Sequence, residues 1–208
     1  DQQGQRLACR LNRFADGVRV LEEEVGLAVG SCQQVLDLRL RGAHVGAVGD
    51  PDDDLAQIVL AEDAVPYVSE QTYQLEIVAQ GTTLEVWIDG TLIFPVTDAS
   101  FDGGTIALYS WYNQGSSFDD ILVEDLATGT VLLWDDFDDG NFTGWTVVDD
   151  KGTRLGPSLW SGTSGALAQS SNIGSDTGDN LGTFALYTKR NWADYRLTLK
   201  MQSTDDDS

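Results

Sequence analysis

"YQLEIVAQGTTLEVWIDGTLIF", residues 73 to 94, sets the fold class. Tyr73, Leu75, Ile77 and Ala79 alternate with Gln74, Glu76, Val78 and Gln80, a period of two that lays one face on a core and the other largely in water. After Gly81 the alternation restarts in Leu84, Val86 and Ile88, and Asp89-Gly90 divides that run from Thr91-Leu92-Ile93-Phe94. An Asp-Gly pair accepts positive φ at both central positions of a type I′ hairpin turn. Three consecutive antiparallel strands are expected.

Downstream, "TIALYSW" (105 to 111) and "FDDILVE" (118 to 124) read as two more strands around the turn-forming loop "YNQGSS". In the C-terminal third, "VLLWDDF", "GWTVVDD", "GALAQSS", "GTFALYT" and "DYRLTLKMQS" are short β-prone runs between Gly, Asp, Asn and Ser clusters. Upstream, "VLEEEVGLAVGSCQQVLDL" has a helical look, but Gly26 and Gly30 would each cost about 1 kcal/mol inside a helix. Sliding residues 20–50 forward by 39 positions sets Val20-Leu21 on Val59-Leu60, Glu23 on Glu62, Leu36 on Leu75, Gly42 on Gly81 and Asp50 on Asp89 without a gap. Residues 20–50 therefore read as a degenerate copy of 59–89, and as strands.

With 208 residues the chain is long enough for one large sandwich or for two small domains. Its 34 acidic and 12 basic residues give a net charge of -22, which repels nucleic acid and anionic membrane surfaces. Of the acids, 26 are Asp and 8 are Glu. Short carboxylates on turns suit hard cations such as Ca2+, while an acidic surface adapted to high salt is the competing explanation. No run approaches the roughly 18 apolar residues of a membrane-spanning helix, and the start "DQQGQRLACR" lacks a signal-peptide core. Membrane insertion is not expected. Cys9 and Cys32 are the only two cysteines: a disulfide in an extracellular protein, or two buried thiols.

The stretch from Tyr73 to Asp125 resembles the C-terminal half of a concanavalin A-like jelly roll, of the laminin G-like and thrombospondin C-terminal-like kind. It runs as strand, Gly, strand, Asp-Gly, a Thr-Asp loop, a Gly-rich entry to "IALYSW", and a closing "FDDILV". "LLWDDFDDGNFTGWTVVDD", "GALAQSS", "GTFALYT" and "WADYRLTLKMQSTDDD" are similar to the N-terminal half of the same module in bacterial secreted proteins. The halves stand in reversed order: residues 1–126 carry the C-terminal-like part, 127–130 a joint, and 131–208 the N-terminal-like part. The resemblance implies an all-β, antiparallel jelly-roll β-sandwich. It leaves open a circular permutant, a junction of tandem modules, or a sandwich completed by strand exchange between chains.

The resemblance also implies a structural calcium where the two halves meet, which points to Asp135, Asp136, Asp138 and Asp139 with Asp119 and Asp120. Ca2+ takes six to eight oxygens, and clustered carboxylates repel one another without a cation. Solvated turn carboxylates are the alternative reading. Strand alternation sends Asp119 and Asp120 to opposite faces, so one of them at most is expected to ligate. "DPDDD" (50 to 54) and "TDDDS" (204 to 208) lack EF-hand spacing and read first as solvated loops. Carbohydrate binding needs exposed aromatic platforms beside amides, for which Trp87, Trp111, Tyr112 and Asn113 are the candidates, with burial in the core as the competing role for each ring.

Catalysis is not expected. The glucanases of this architecture carry a Glu-x-Asp-x-x-Glu strand that is absent here, the one histidine is His44, and no nucleophile elbow, zinc motif or Walker loop occurs. The expectation is a secreted or surface-attached, calcium-stabilised adhesion or carbohydrate-binding module whose partners are glycans or cell-surface polysaccharide. The alternatives are a self-associating subunit of an extracellular fibre and, behind it, a glycoside-hydrolase-like enzyme.

Overall fold

The computed structural model describes residues 7–12, 24–30, 35–40, 68–97, 104–150, 152–175, 182–187 and 192–204. Of the first three segments only the backbone is described. The alternating run around residues 73–94 forms β4 (Thr72–Gln80), β5 (Thr83–Ile88) and β6 (Thr91–Thr97), paired antiparallel in a meander. Leu75, Ile77 and Val86 are buried while Gln74 and Gln80 face water, as the period of two requires. Asp89 and Gly90 have φ of 47° and 75°, both positive, as a type I′ turn demands, and Asp89 Oδ1 accepts the Gln74 N–H at 2.9 Å.

Upstream, β1 (Leu7–Asn12), β2 (Glu24–Gly30) and β3 (Val35–Leu40) are strands, with Gly26 and Gly30, which disfavour a helix, both in β2. Then come β7 (Thr105–Trp111), β8 (Ser116–Asp125), β9 (Val131–Asp135), β10 (Trp145–Asp149), β11 (Trp160–Ser161), β12 (Leu167–Gln169), β13 (Thr183–Tyr187) and β14 (Tyr195–Ser203). Every pairing between these strands is antiparallel. One sheet has the order β1-β3-β2-β7-β13-β10, and the other β11-β12-β8-β14-β4-β5-β6, with β9 added on β8.

Both sheets feed one core. Ile106 and Leu108 of β7, Trp145 of β10 and Ala185 of β13 pack in the same buried cluster as Leu75, Val86, Phe118, Ile121 and Leu197 of the other sheet. Burying such side chains contributes about 1.5–3 kcal/mol each and makes the assembly all-β and sandwich-like. β7 is buried on both faces, because Ala107, Tyr109 and Trp111 form a second cluster with Phe184 on the side away from the main core.

The two halves of the sequence interleave within one chain. β14 lies between β8 and β4, bonded to each, and β13 pairs with β7. Residues 20–50 and 59–89 contribute to different sheets: β3 sits between β1 and β2, whereas β4, its counterpart in the 39-residue frame, sits between β14 and β5.

Candidate functional site

The acidic seam is built from β8 and the loop after β9. β9 pairs with β8 so that Asp135 stands opposite Ile121. Phe137, fully buried with φ of 53°, pins the following loop to the core. Around this anchor the loop is a chain of Asx turns. Asp135 Oδ1 accepts the Phe137 N–H at 3.2 Å, Asp136 Oδ1 the Asp138 N–H at 3.2 Å, Asp139 Oδ1 the Asn141 N–H at 3.0 Å, and Asn141 Oδ1 the Thr143 N–H at 2.9 Å. A carboxylate one methylene from the backbone closes such turns well, which gives the Asp-over-Glu preference here a local cause.

Alternation fails at Asp119 and Asp120. Between Thr198 and Lys200 of β14 the register with β8 shifts by one residue, Asp120 takes a φ of 51°, and Phe118 and Ile121 both point to the core. An extra residue in a strand is a β-bulge, and it leaves Asp119 and Asp120 together off the core side instead of on opposite faces. The expectation that they part is thus corrected. Lys200 Nζ pairs with Asp120 Oδ2, and Asp119 Oδ1 accepts the Asp120 N–H at 2.7 Å.

Burial raises the Asp119 carboxyl above its usual value, as do the charges of Asp120 and Asp138, against the Asp120 N–H and Lys200. Burial likewise raises Asp135, joined by Asp139 and Asp136 and opposed by hydrogen bonds from Trp145 Nε1 at 2.8 Å and the Phe137 N–H. The six sequence-predicted carboxylates thus share one region and repel. As a calcium shell they are not assembled: among the described residues no three acidic, histidine or cysteine side chains converge on one point.

The predicted aromatic site divides. Trp111 is 4% exposed, packed edge-on against Tyr112 with centroids 4.7 Å apart, so its ring is not offered to a ligand. Tyr112 is half-buried, with φ of 41°. Asn113 is buried in a polar knot that the sequence did not announce. Its Oδ1 accepts from Ser116 Oγ at 3.1 Å and Ser203 Oγ at 2.8 Å, and its backbone oxygen accepts from Ser110 Oγ at 3.1 Å. Gln169, fully buried, donates from Nε2 to Ser110 Oγ, the Asn113 oxygen and the Ser171 oxygen at 3.0, 3.3 and 2.8 Å, and accepts the Ser171 N–H and hydroxyl on Oε1. This knot ties β7 of one sheet to β8, β12 and β14 of the other.

Trp87 stays half-exposed on the side of β5 away from the core, its Nε1 donating to Glu85 Oε2 at 3.1 Å. Trp134 of β9, 53% exposed, joins it as an accessible indole that the sequence reading passed over. The signal was present in "VLLWDDF": if Leu133 faces the core, Trp134 must face out. Cys9 lies in β1 with its side chain undescribed, and Cys32, His44, residues 50–54 and residues 205–208 lie outside the described residues. Comparison with protein-family models, curated proteins and solved structures finds no match for this chain.

Proposed function

We propose that the chain is a non-catalytic extracellular module of the concanavalin A-like jelly-roll type, built to bind glycans or cell-surface polysaccharide. The observation that carries the choice is the interleaving of the two halves in one chain, with β14 seated between β8 and β4. A sheet whose central strand comes from the same chain favours a self-contained binding domain, with permuted order, over a fibre subunit completed by a neighbour's strand. The exposed indole of Trp134 and the half-buried, outward-facing one of Trp87 supply the aromatic surface for sugar rings to stack on. A glycan array read alongside native mass tests this. A monomer that binds neutral or weakly charged glycans supports the module; a concentration-dependent oligomer without glycan binding favours the fibre subunit and rejects the module.

Calcium at the seam belongs to the same proposal. Mutual repulsion among Asp119, Asp120 and Asp138, and among Asp135, Asp136 and Asp139, is what a divalent cation relieves. Ligation would require Asp136, Asp138 and Asp139 to leave solvent and Asx turns and converge. Melting with excess Ca2+ against excess chelator decides the matter: an unchanged melting temperature removes calcium from the proposal and leaves the module standing.

A further inference from the structure

The outer face of the larger sheet carries a continuous cross-strand row. Trp134 of β9 stands opposite Leu122 of β8, Leu122 opposite Thr198 of β14, Thr198 opposite Glu76 of β4, and Glu76 opposite Trp87 of β5. Directly paired residues share a face, so one line crosses five strands with an exposed indole, Trp134, at one end and a half-buried one, Trp87, at the other. At about 4.8 Å per strand the two indoles stand roughly 19 Å apart. From this row we infer that the outer face of the eight-stranded sheet is the track for a linear, uncharged polysaccharide laid across the strands, stacked on Trp134 and Trp87. This rests on the proposed glycan-binding reading and locates it on the sheet.

The chemistry between the indoles fits a sugar chain better than a protein surface. Beside Leu122 the row is polar at Thr198 and Glu76, and the two cations that flank Thr198 on β14 are already paired: Arg196 Nε lies 3.4 Å from Glu76 Oε1, and Lys200 pairs with Asp120. Such pairs offer donors and acceptors to hydroxyls without a net charge to attract a charged partner. A second copy of the chain would bring its own -22 against this one. The Trp87 ring is held by Glu85, which lowers the entropy lost when a ring stacks. The separation also sets ligand size, because a disaccharide reaches one indole only. Sheet twist of roughly 20° per strand turns the two rings by about 80° around the row, a surface for a single twisted chain and not for a flat crystalline face.

The test compares the wild-type chain with Trp87→Ala, Trp134→Ala and the double variant, each checked for an unchanged fold by melting and near-UV circular dichroism. Binding is measured to soluble neutral β-glucan, xylan and mannan, to an anionic polysaccharide (polygalacturonate), to a length series of the neutral oligosaccharides, and to amorphous and crystalline forms of one insoluble glucan. The expected result is a loss of about tenfold or more for each single variant, near-complete loss for the double, and affinity that rises sharply once an oligosaccharide spans both rings. Wild-type binding that survives the double variant, or that falls only with Tyr112→Ala, overturns the track while the glycan reading stands. Equal binding to the crystalline form, or stronger binding to an anionic polysaccharide, overturns the ligand class. If the wild-type chain binds no polysaccharide, the glycan reading itself fails. If Trp134→Ala turns an oligomer into a monomer, the row is a contact between copies and the inference falls.

Discussion

Replacing Gln169 by Ala removes the hub of the buried knot. Its amide makes five contacts of 2.5 to 3.3 Å with Ser110, Asn113 and Ser171. The losses are unequal. Ser110 Oγ and the Asn113 oxygen keep each other and Ser116, whereas the Ser171 N–H and Ser171 oxygen lose the Gln169 partner that answers them. Two buried backbone groups deprived of partners cost about 1–3 kcal/mol each, and the space left by the amide adds about 1 kcal/mol, so a loss of roughly 3–7 kcal/mol is expected. For a chain of this size that lowers the melting temperature by about 6–28 °C. Urea unfolding of the wild type, Gln169→Ala, Asn113→Ala and the double variant measures it. Because both residues belong to one network, the double variant should cost at least about 1 kcal/mol less than the sum of the singles. A Gln169→Ala loss below about 1 kcal/mol, or strict additivity, would refute the view that this knot locks the two sheets in register.

Tyr195 is 2% exposed, and its hydroxyl has no hydrogen-bond partner among the described residues; burial drives its phenol far above the ordinary range. Tyr195→Phe should therefore stabilise the fold by about 1 kcal/mol in thermal melting, and a loss would show that the hydroxyl is satisfied in solution. At the bulge, Asp120→Val should cost about 1–2 kcal/mol more than Asp120→Gly, since both lose Lys200 and only valine is strained at a φ of 51°; equal stabilities would contradict a left-handed bulge. The Thr128 hydroxyl and N–H, donating to Asp125 Oδ1 at 2.7 and 2.8 Å, hold that carboxyl below its ordinary 3.8. A carboxyl depressed in the folded state adds stability above its unfolded value and loses it as pH falls through the folded one. The gap between wild type and Thr128→Ala should thus be open at neutral pH and close in acid, with the Asp125 midpoint rising in a carboxyl-carbon NMR titration; a midpoint that stays put sinks the assignment.

How far the sequence reaches is clear from particular residues. The β4–β5–β6 meander was legible because alternation and an Asp-Gly turn are local, and the turn adopts the positive φ values that the pair predicts. The C-terminal strands were legible as strands, but their neighbours were not, since pairing β14 with both β8 and β4 depends on the whole core. The bulge at Asp120 escaped because nothing in "SSFDDILVE" separates an inserted residue from a regular one until the register with β14 slips between Thr198 and Lys200. Asn113 and Ser116 read as residues of a turn-forming loop, Asn113 also as a sugar contact, and Gln169 as part of a short β-prone run; only the meeting of two sheets makes them a buried network. Trp111 stood open between platform and core because one β-strand does not reveal that both of its faces are covered.

The position of β14 bears on how the chain is made. The strand at the heart of the larger sheet leaves the ribosome after the thirteen described strands that precede it in the sequence, and its partners in β4 lie more than a hundred residues earlier. Until it arrives, β8 and β4 present open edges with nothing between them, in a topology whose long-range pairings already fold slowly. Synthesis halted short of residue 195 would yield no smaller version of this sheet, only two exposed edges in need of a chaperone.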